Sequence, residues 1–254
     1  MISNQLNAFF GRWFIAASAL ASSAVLCAQS GLDTEQPFVS NSAGLIPTEA
    51  VQIEAGGWLE WFTPQGAESE EFRYAVPLGI IRYGWRDRLE IRVGARFNQS
   101  LGQAEEARGG FKWNVVPDAD RFRVAWVSEL ETQLNSVSTS TRVPSQHRMC
   151  ADWSDGKRWS ARANWGVRWG GDSTEMVVAA AAAREVGWQG WTAYIEPVWR
   201  SVGGWRLHAG ALLAAGDDGQ VDVGFQRDLD RGDFRFTFGY TRRLWREPDS
   251  TDSP

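Results

Sequence analysis

Between residues 51 and 245 apolar and polar side chains alternate one by one, a period that a β-strand turns into two chemically different faces and that a helix would scramble. The clearest stretch is 89–98, where Leu89, Ile91, Val93, Ala95 and Phe97 alternate with Glu90, Arg92, Gly94, Arg96 and Asn98. Residues 158–169 repeat the pattern, setting Trp159, Ala161, Ala163, Trp165, Val167 and Trp169 against Arg158, Ser160, Arg162, Asn164, Gly166 and Arg168. The first such run sets Val51, Ile53, Ala55, Leu59 and Trp61 against Gln52, Glu54, Trp58 and Glu60. The last sets Phe234, Phe236, Phe238, Tyr240 and Leu244 against Arg235, Thr237, Gly239, Thr241 and Arg243. Further strands are predicted near 72–83, 108–116, 121–134, 147–153, 175–185, 190–199, 204–215 and 220–228, which makes about twelve. In the 72–83 run the phase shifts around Pro77 and Gly79, predicting a bulge that exchanges the faces of Arg82 and Tyr83 relative to Phe72. Residues 147–153 are short for a strand, and Met176 to Ala183 is rich enough in alanine for a helical turn.

The early connections alternate in length. Those at 65–71, 99–107 and 135–146 are long, and those at 86–88, 117–120 and 154–156 are tight. An even-stranded membrane barrel has this arrangement, with loops at one end and turns at the other. The expected fold is therefore all-β, a transmembrane antiparallel β-barrel of about 12 strands over residues 51–245. A ten-residue strand rises about 33 Å and, tilted near 45°, covers roughly 24 Å, the height of an outer-membrane apolar band. Of the 15 Trp, several fall near predicted strand ends (Trp61, Trp159, Trp169, Trp191, Trp199, Trp205 and Trp245), where an amphipathic ring suits the lipid boundary. Alternation alone also permits a soluble periplasmic barrel that binds a ligand in a dry, apolar core.

The ends differ from the strand-rich region. Residues 1–28 carry one charge, Arg12, then an apolar stretch from Trp13 to Leu26 and small residues to Ala28, which reads as a signal peptide. The apolar stretch is short for an uncleaved membrane anchor, and Leu26 before Cys27 disfavours lipidation. Residues 29–50 are small and polar without periodicity, and read as a periplasmic N-terminal segment or a plug; residues 246–254 read as a polar C-terminal tail. After signal removal Cys150 is the single cysteine, so no internal disulfide is expected.

The formal charge is -5, which excludes the basic field that nucleic acid requires. All but two of the 26 basic residues, Lys112 and Lys157, are arginine. The guanidinium fork suits crowded ion-pair networks, although a GC-rich codon bias explains the same choice. With the apolar rows turned to lipid, Arg92, Arg96, Arg162, Arg168 and Arg235 face the lumen together with Glu54, Glu60, Glu90 and Glu129, and also Glu131 and Glu196. The opposite phase would place arginines in hydrocarbon at about 2–4 kcal/mol each. Closure sets the first strand beside the last, so Glu54 or Glu60 can reach Arg235 or Arg243. The lumen is expected to be charged and partly self-neutralised, with Arg92, Arg96, Arg162 and Arg168 biasing it toward anionic or polarisable solutes.

The stretch PLGIIRYGWRDRLEIRVGARF, residues 77–97, and GYTRRL, residues 239–244, resemble the outer-membrane family of the meta-pathway of phenol degradation, whose members are described as transporters. The resemblance loosely covers most of the chain after the signal. It implies a transporter for small, aromatic compounds, and it supplies no catalytic residues. Leu244 stands where the family's terminal strand ends in an aromatic residue, and Arg242 interrupts the outward row.

No catalytic centre is legible. The only histidines are His147 and His208, and His208 falls in the inward phase with no serine motif beside it. A lipid-facing outer-membrane hydrolase built on His208 is nevertheless kept as an alternative. Two distant histidines and one cysteine do not make a zinc signature, and Asp228, Asp230 and Asp233 lack the spacing of a calcium loop. Arg231, Gly232 and Asp233 spell an adhesion tripeptide that is more simply turn chemistry. The expectation is thus a non-enzymatic barrel with no cofactor or metal. Its expected partners are outer-membrane lipid, the barrel-assembly machinery and a small-molecule solute.

Overall fold

The computed structural model describes residues 40–63, 71–98, 103–119, 121–133, 143–170, 173–187 and 190–245. The predicted signal peptide and C-terminal tail lie outside them. Twelve strands follow in order: β1 (Val51–Phe62), β2 (Glu71–Arg86), β3 (Leu89–Asn98), β4 (Gln103–Ala119), β5 (Phe122–Gln133) and β6 (Ser145–Ser154). The second half comprises β7 (Trp159–Gly170), β8 (Ser173–Glu185), β9 (Trp191–Arg200), β10 (Gly204–Ala214), β11 (Gly219–Asp228) and β12 (Phe234–Trp245). Each pairs antiparallel with its chain neighbours, and β1 pairs with β12, so the sheet closes into a barrel. Closure leaves no sheet edge to satisfy, which is what a strand protein in hydrocarbon needs.

Side-chain exposure alternates along the strands and fixes which face is outside. On β3 Arg92 is 1% exposed and the next residue, Val93, 57%; on β11 Gln226 is 7% exposed and Phe225 50%. The exterior is aliphatic and aromatic, with Ile81, Ile91, Phe111, Leu130, Trp165, Val178 and Ile195 all exposed. Trp61, Trp159, Trp169, Trp191 and Trp205 are exposed near strand ends, as an interfacial girdle requires. A soluble barrel would hide this surface, so the dry-core alternative fails on the orientation of the faces.

The predicted phase shift in β2 falls between the pairs Gly56–Leu78 and Trp58–Ala75, where two steps on β1 face three on β2. The extra residue turns both Phe72 and Tyr83 outward and Arg82 inward. The two weakest strand predictions are regular here. β6 runs ten residues, and the alanine-rich β8 is paired on both sides, because cross-strand partners override the helical preference of alanine. The β6–β7 turn is tied by Asp155, whose Oδ1 accepts the backbone N–H groups of Lys157, Arg158 and Trp159 at 2.7, 2.9 and 3.0 Å. These donors hold the exposed Asp155 carboxyl below its ordinary range.

Candidate functional site

The inward rows meet as layers of ion pairs. At mid-barrel Arg82 on β2 donates from Nη1 to Glu54 on β1 at 2.8 Å, and from Nε and Nη2 to Glu90 on β3 at 2.7 and 2.8 Å. Next to it Arg92 Nε lies 3.0 Å from Glu129 Oε1 on β5. Arg82, Arg92, Lys112, Glu54, Glu90 and Glu129 are all buried. Alternation along each strand aims these long side chains at one level of a closed ring, and pairing offsets their desolvation.

Toward the turn end, Arg162 Nε donates to Asp152 Oδ1 at 3.2 Å. Toward the loop end the pairs open to water. Arg168 Nη2 lies 2.6 Å from Glu131 and Arg96 Nη1 3.6 Å from Glu106. Glu60 there accepts from both Arg73 on β2 and Arg235 on β12, the latter at 2.8 Å. Arg235 sits 4.6 Å over the ring of Trp58, and Arg73 4.2 Å over Phe62, so the two guanidinium groups are held by aromatic faces as well as by charge. Side-chain exposure is 48% for Arg73, 40% for Arg96, 37% for Arg168 and 25% for Arg235, against 1% for Arg92.

All of the predicted inward residues except Glu196, which meets His208, are found within an ion pair: Arg92 with Glu129, Arg96 with Glu106, Arg162 with Asp152, Arg168 with Glu131, Arg235 with Glu60, and Glu54 and Glu90 with Arg82. Of the proposed closure contacts, Glu60 to Arg235 forms, and Glu54 meets Arg82. Sequence reasoning had not singled out Arg82, Lys112, Asp152 or Asn164. Their signal was present in the inward phase, but their partners come from other strands.

A third cluster lies on β9 and β10. His208 Nε2 is 3.1 Å from Tyr194 Oη and 3.5 Å from Thr237 Oγ1, and His208 Nδ1 is 3.1 Å from Glu196 Oε2. The Tyr194 hydroxyl lies flat over Gly224, where an added Cβ would stand 2.4 Å from it, so only glycine admits this packing. The inward, buried His208 is out of reach of lipid. The outward histidine, His147, is packed between Trp126 and Trp169 at ring distances of 5.7 and 5.1 Å. The hydrolase alternative rested on His208, which faces the lumen, whereas His147 stands opposite Ser128 of β5. Among the described residues no group of three or more His, Cys, Asp or Glu side chains could hold a metal ion. Asp228 accepts from Asp230 N, Arg231 N and the Arg231 guanidinium, which accounts for the acidic turn as hairpin chemistry.

Residues 40–50 enter this lumen. The chain leaves the turn end beside Gly84, whose N–H donates to Ala50 O while Glu49 N donates to Gly84 O. A Cβ on Gly84 would stand 2.0 Å from Pro47 O, so the close approach depends on glycine. From there Ile46 N donates to Glu90 on β3 at 3.2 Å, and Gly44 O accepts from Lys112 on β4 at 2.9 Å and from Arg82 at 3.4 Å. Ala43 N and Ser42 Oγ both donate to Asp152 on β6 at 3.0 Å. Asn164 on β7 accepts from Asn41 N at 2.7 Å and donates to Asn41 O at 2.9 Å, and Ser40 N donates to Glu196 on β9 at 2.8 Å.

No protein-family model matches the chain, and no curated protein matches it. Solved structures do. The outer membrane channel COG4313 from Pseudomonas putida F1 has 11% identity and a TM-score of 0.58, over 84% of this chain and 100% of that one. The KdgM porin in complex with disordered oligogalacturonate has 8% identity and a TM-score of 0.55, over 75% of this chain and 98% of that one. At such identities the likeness is one of fold, and the chain is a closed twelve-stranded barrel similar to bacterial outer-membrane channels.

Proposed function

We propose that the protein is a passive outer-membrane channel for small solutes, with a loop-end mouth that favours anionic or aromatic compounds. The observation that carries this reading is the gradient of exposure along the lumen: Arg73, Arg96, Arg168 and Arg235 meet water at the loop end, while the charges of mid-barrel are buried. Guanidinium groups supported on Trp58 and Phe62 offer both charge and a planar face to an incoming ring. The resemblance of residues 77–97 and 239–244 to the phenol-degradation transporter family supports the aromatic choice. The carboxylate partners temper the cationic field, so selectivity among anions would come from shape more than from net charge.

Refolded protein in planar bilayers tests the proposal. Stepwise conductance with a preference for chloride over potassium is expected, together with swelling of liposomes by small aromatic acids. A barrel that refolds and stays silent to ions and solutes alike would show that it is a packed, non-conducting cylinder.

A further inference from the structure

β3 and β9 stand six positions apart in a ring of twelve, so Glu90 and Glu196 reach inward from opposite walls. Residues 40–46 join them. Six residue steps of extended chain span about 20 Å, enough to cross between side chains from facing walls. On the way the segment is read mainly through its backbone. Ser40 N, Asn41 N, Ala43 N and Ile46 N donate to Glu196, Asn164, Asp152 and Glu90, and the carbonyls of Asn41 and Gly44 accept from Asn164 and Lys112. Ser40, Asn41, Ser42, Ala43 and Ile46 are buried, and Ala43 packs with Ala125 and Val127 of β5 and with the lumen-facing thiol of Cys150 on β6.

A wall that hydrogen-bonds main-chain N–H and C=O groups at several points along one bound segment has the chemistry of a peptide-binding site. Apart from the small apolar cluster around Ala43 and the buried Ile46, the contacts are polar and have ready replacements in water, so the segment can exchange most of them for solvent. Small side chains at Ser40, Ser42, Ala43 and Gly44 let it lie close without wedging.

We propose that residues 40–46 are a releasable internal ligand of the lumen, bound in an extended-peptide site made by Glu90, Lys112, Asp152, Asn164 and Glu196, and that solute passage requires them to leave it. This rests on the channel reading. The segment is an autoinhibitory strap: its release hydrates the mid-barrel charges and uncovers Cys150.

Cys150 makes the strap measurable in the full chain. The rate at which a small charged thiol reagent modifies Cys150 in refolded protein should be slow, and Asn164→Ala, which removes its two bonds to Asn41, should raise it by roughly tenfold or more; because Asn164 Oδ1 also lies 3.5 Å from the Cys150 sulfur, a variant without that contact decides the result. Asp152→Asn gives a second variant that weakens the strap at a different point and should act in the same direction. In Ala43→Cys, mild oxidation should form a disulfide to Cys150 and suppress conductance, which reduction should restore. Failure of that disulfide to form, labelling that neither variant accelerates, or equal, non-zero conductance in the oxidised and reduced states would each overturn the strap. Accelerated labelling in a protein silent in both redox states would instead overturn the channel reading and, with it, the requirement for release in passage, while upholding the peptide site itself.

Discussion

Glu90 on β3 accepts two hydrogen bonds from Arg82 on β2, and neither side chain meets solvent. The same guanidinium serves Glu54, so one cation sits between two buried acids. Arg82→Met would take the guanidinium from both, leaving Glu54 the amide of Gln52 and Glu90 the N–H of Ile46. Breaking a buried pair from one side costs about 3–5 kcal/mol, so the urea midpoint of the refolded barrel in lipid vesicles should fall markedly. An unchanged midpoint would mean that water already reaches this layer.

The alternation of faces predicts a contrast between adjacent positions. Phe225→Arg puts a guanidinium on the lipid face and should destabilise by about 2–4 kcal/mol if that position lies near the bilayer midplane. Gln226→Arg, one residue along, points into the lumen and should escape that lipid penalty. Equal losses, measured by reversible unfolding in vesicles, would contradict the assignment of the two faces.

At the loop end, Glu60 is the shared counter-charge of Arg73 and Arg235. Glu60→Gln keeps the shape and removes the negative charge, leaving two guanidinium groups beside Trp58. The chloride-to-potassium permeability ratio should rise several-fold at low salt and converge with that of the parent protein at high salt, where screening is short-ranged. Reversal potentials across a salt gradient measure it.

The Asp155 turn has a pH signature. Its carboxyl titrates below the ordinary value of 3.8 because three backbone N–H groups stabilise the anion. A folded-state value below the unfolded one means that the contribution is complete above pH 3.8 and disappears as the pH falls through the folded value. The stability difference between the parent and Asp155→Ala should therefore be constant near neutrality and vanish in acid. A difference that persists in strong acid would point to a packing effect of the side chain.

The barrel was legible because a closed sheet imposes period two on nearly every residue from Val51 onward, and because Leu89 to Asn98 and Trp159 to Trp169 keep that period without a flaw. Even the break at Pro77 was readable, and it is what turns Arg82 inward. Pairings were harder. Glu54 had Arg235 and Arg243 as sequence-level candidates, and nothing in the alternation announced its bond to Arg82: the register between β1 and β2 sets Glu54 opposite Ile80 and brings the next inward side chain within reach. That residues 40–46 lie inside the barrel was legible only as one of two alternatives, an N-terminal segment or a plug, and their path was not. Their conformation is dictated by side chains from six strands, from Arg82 on β2 to Glu196 on β9, and nothing in the run Ser40 to Ile46 carries a periodic signal of its own.

The two claims on Glu60 are separated in time as well as in space. Arg73 is 13 residues away and becomes available as soon as the first hairpin forms, whereas Arg235 is 175 residues away and arrives only when the final strand docks. During folding the carboxylate therefore has a local partner long before the cylinder can shut, and the second guanidinium marks the moment of shutting. A chain halted before β12 would hold Glu60 with one arginine and leave Trp58 with Arg73 at 5.9 Å but without Arg235 at 4.6 Å above its ring, so the fluorescence of that tryptophan offers a clock for the last event in building the wall.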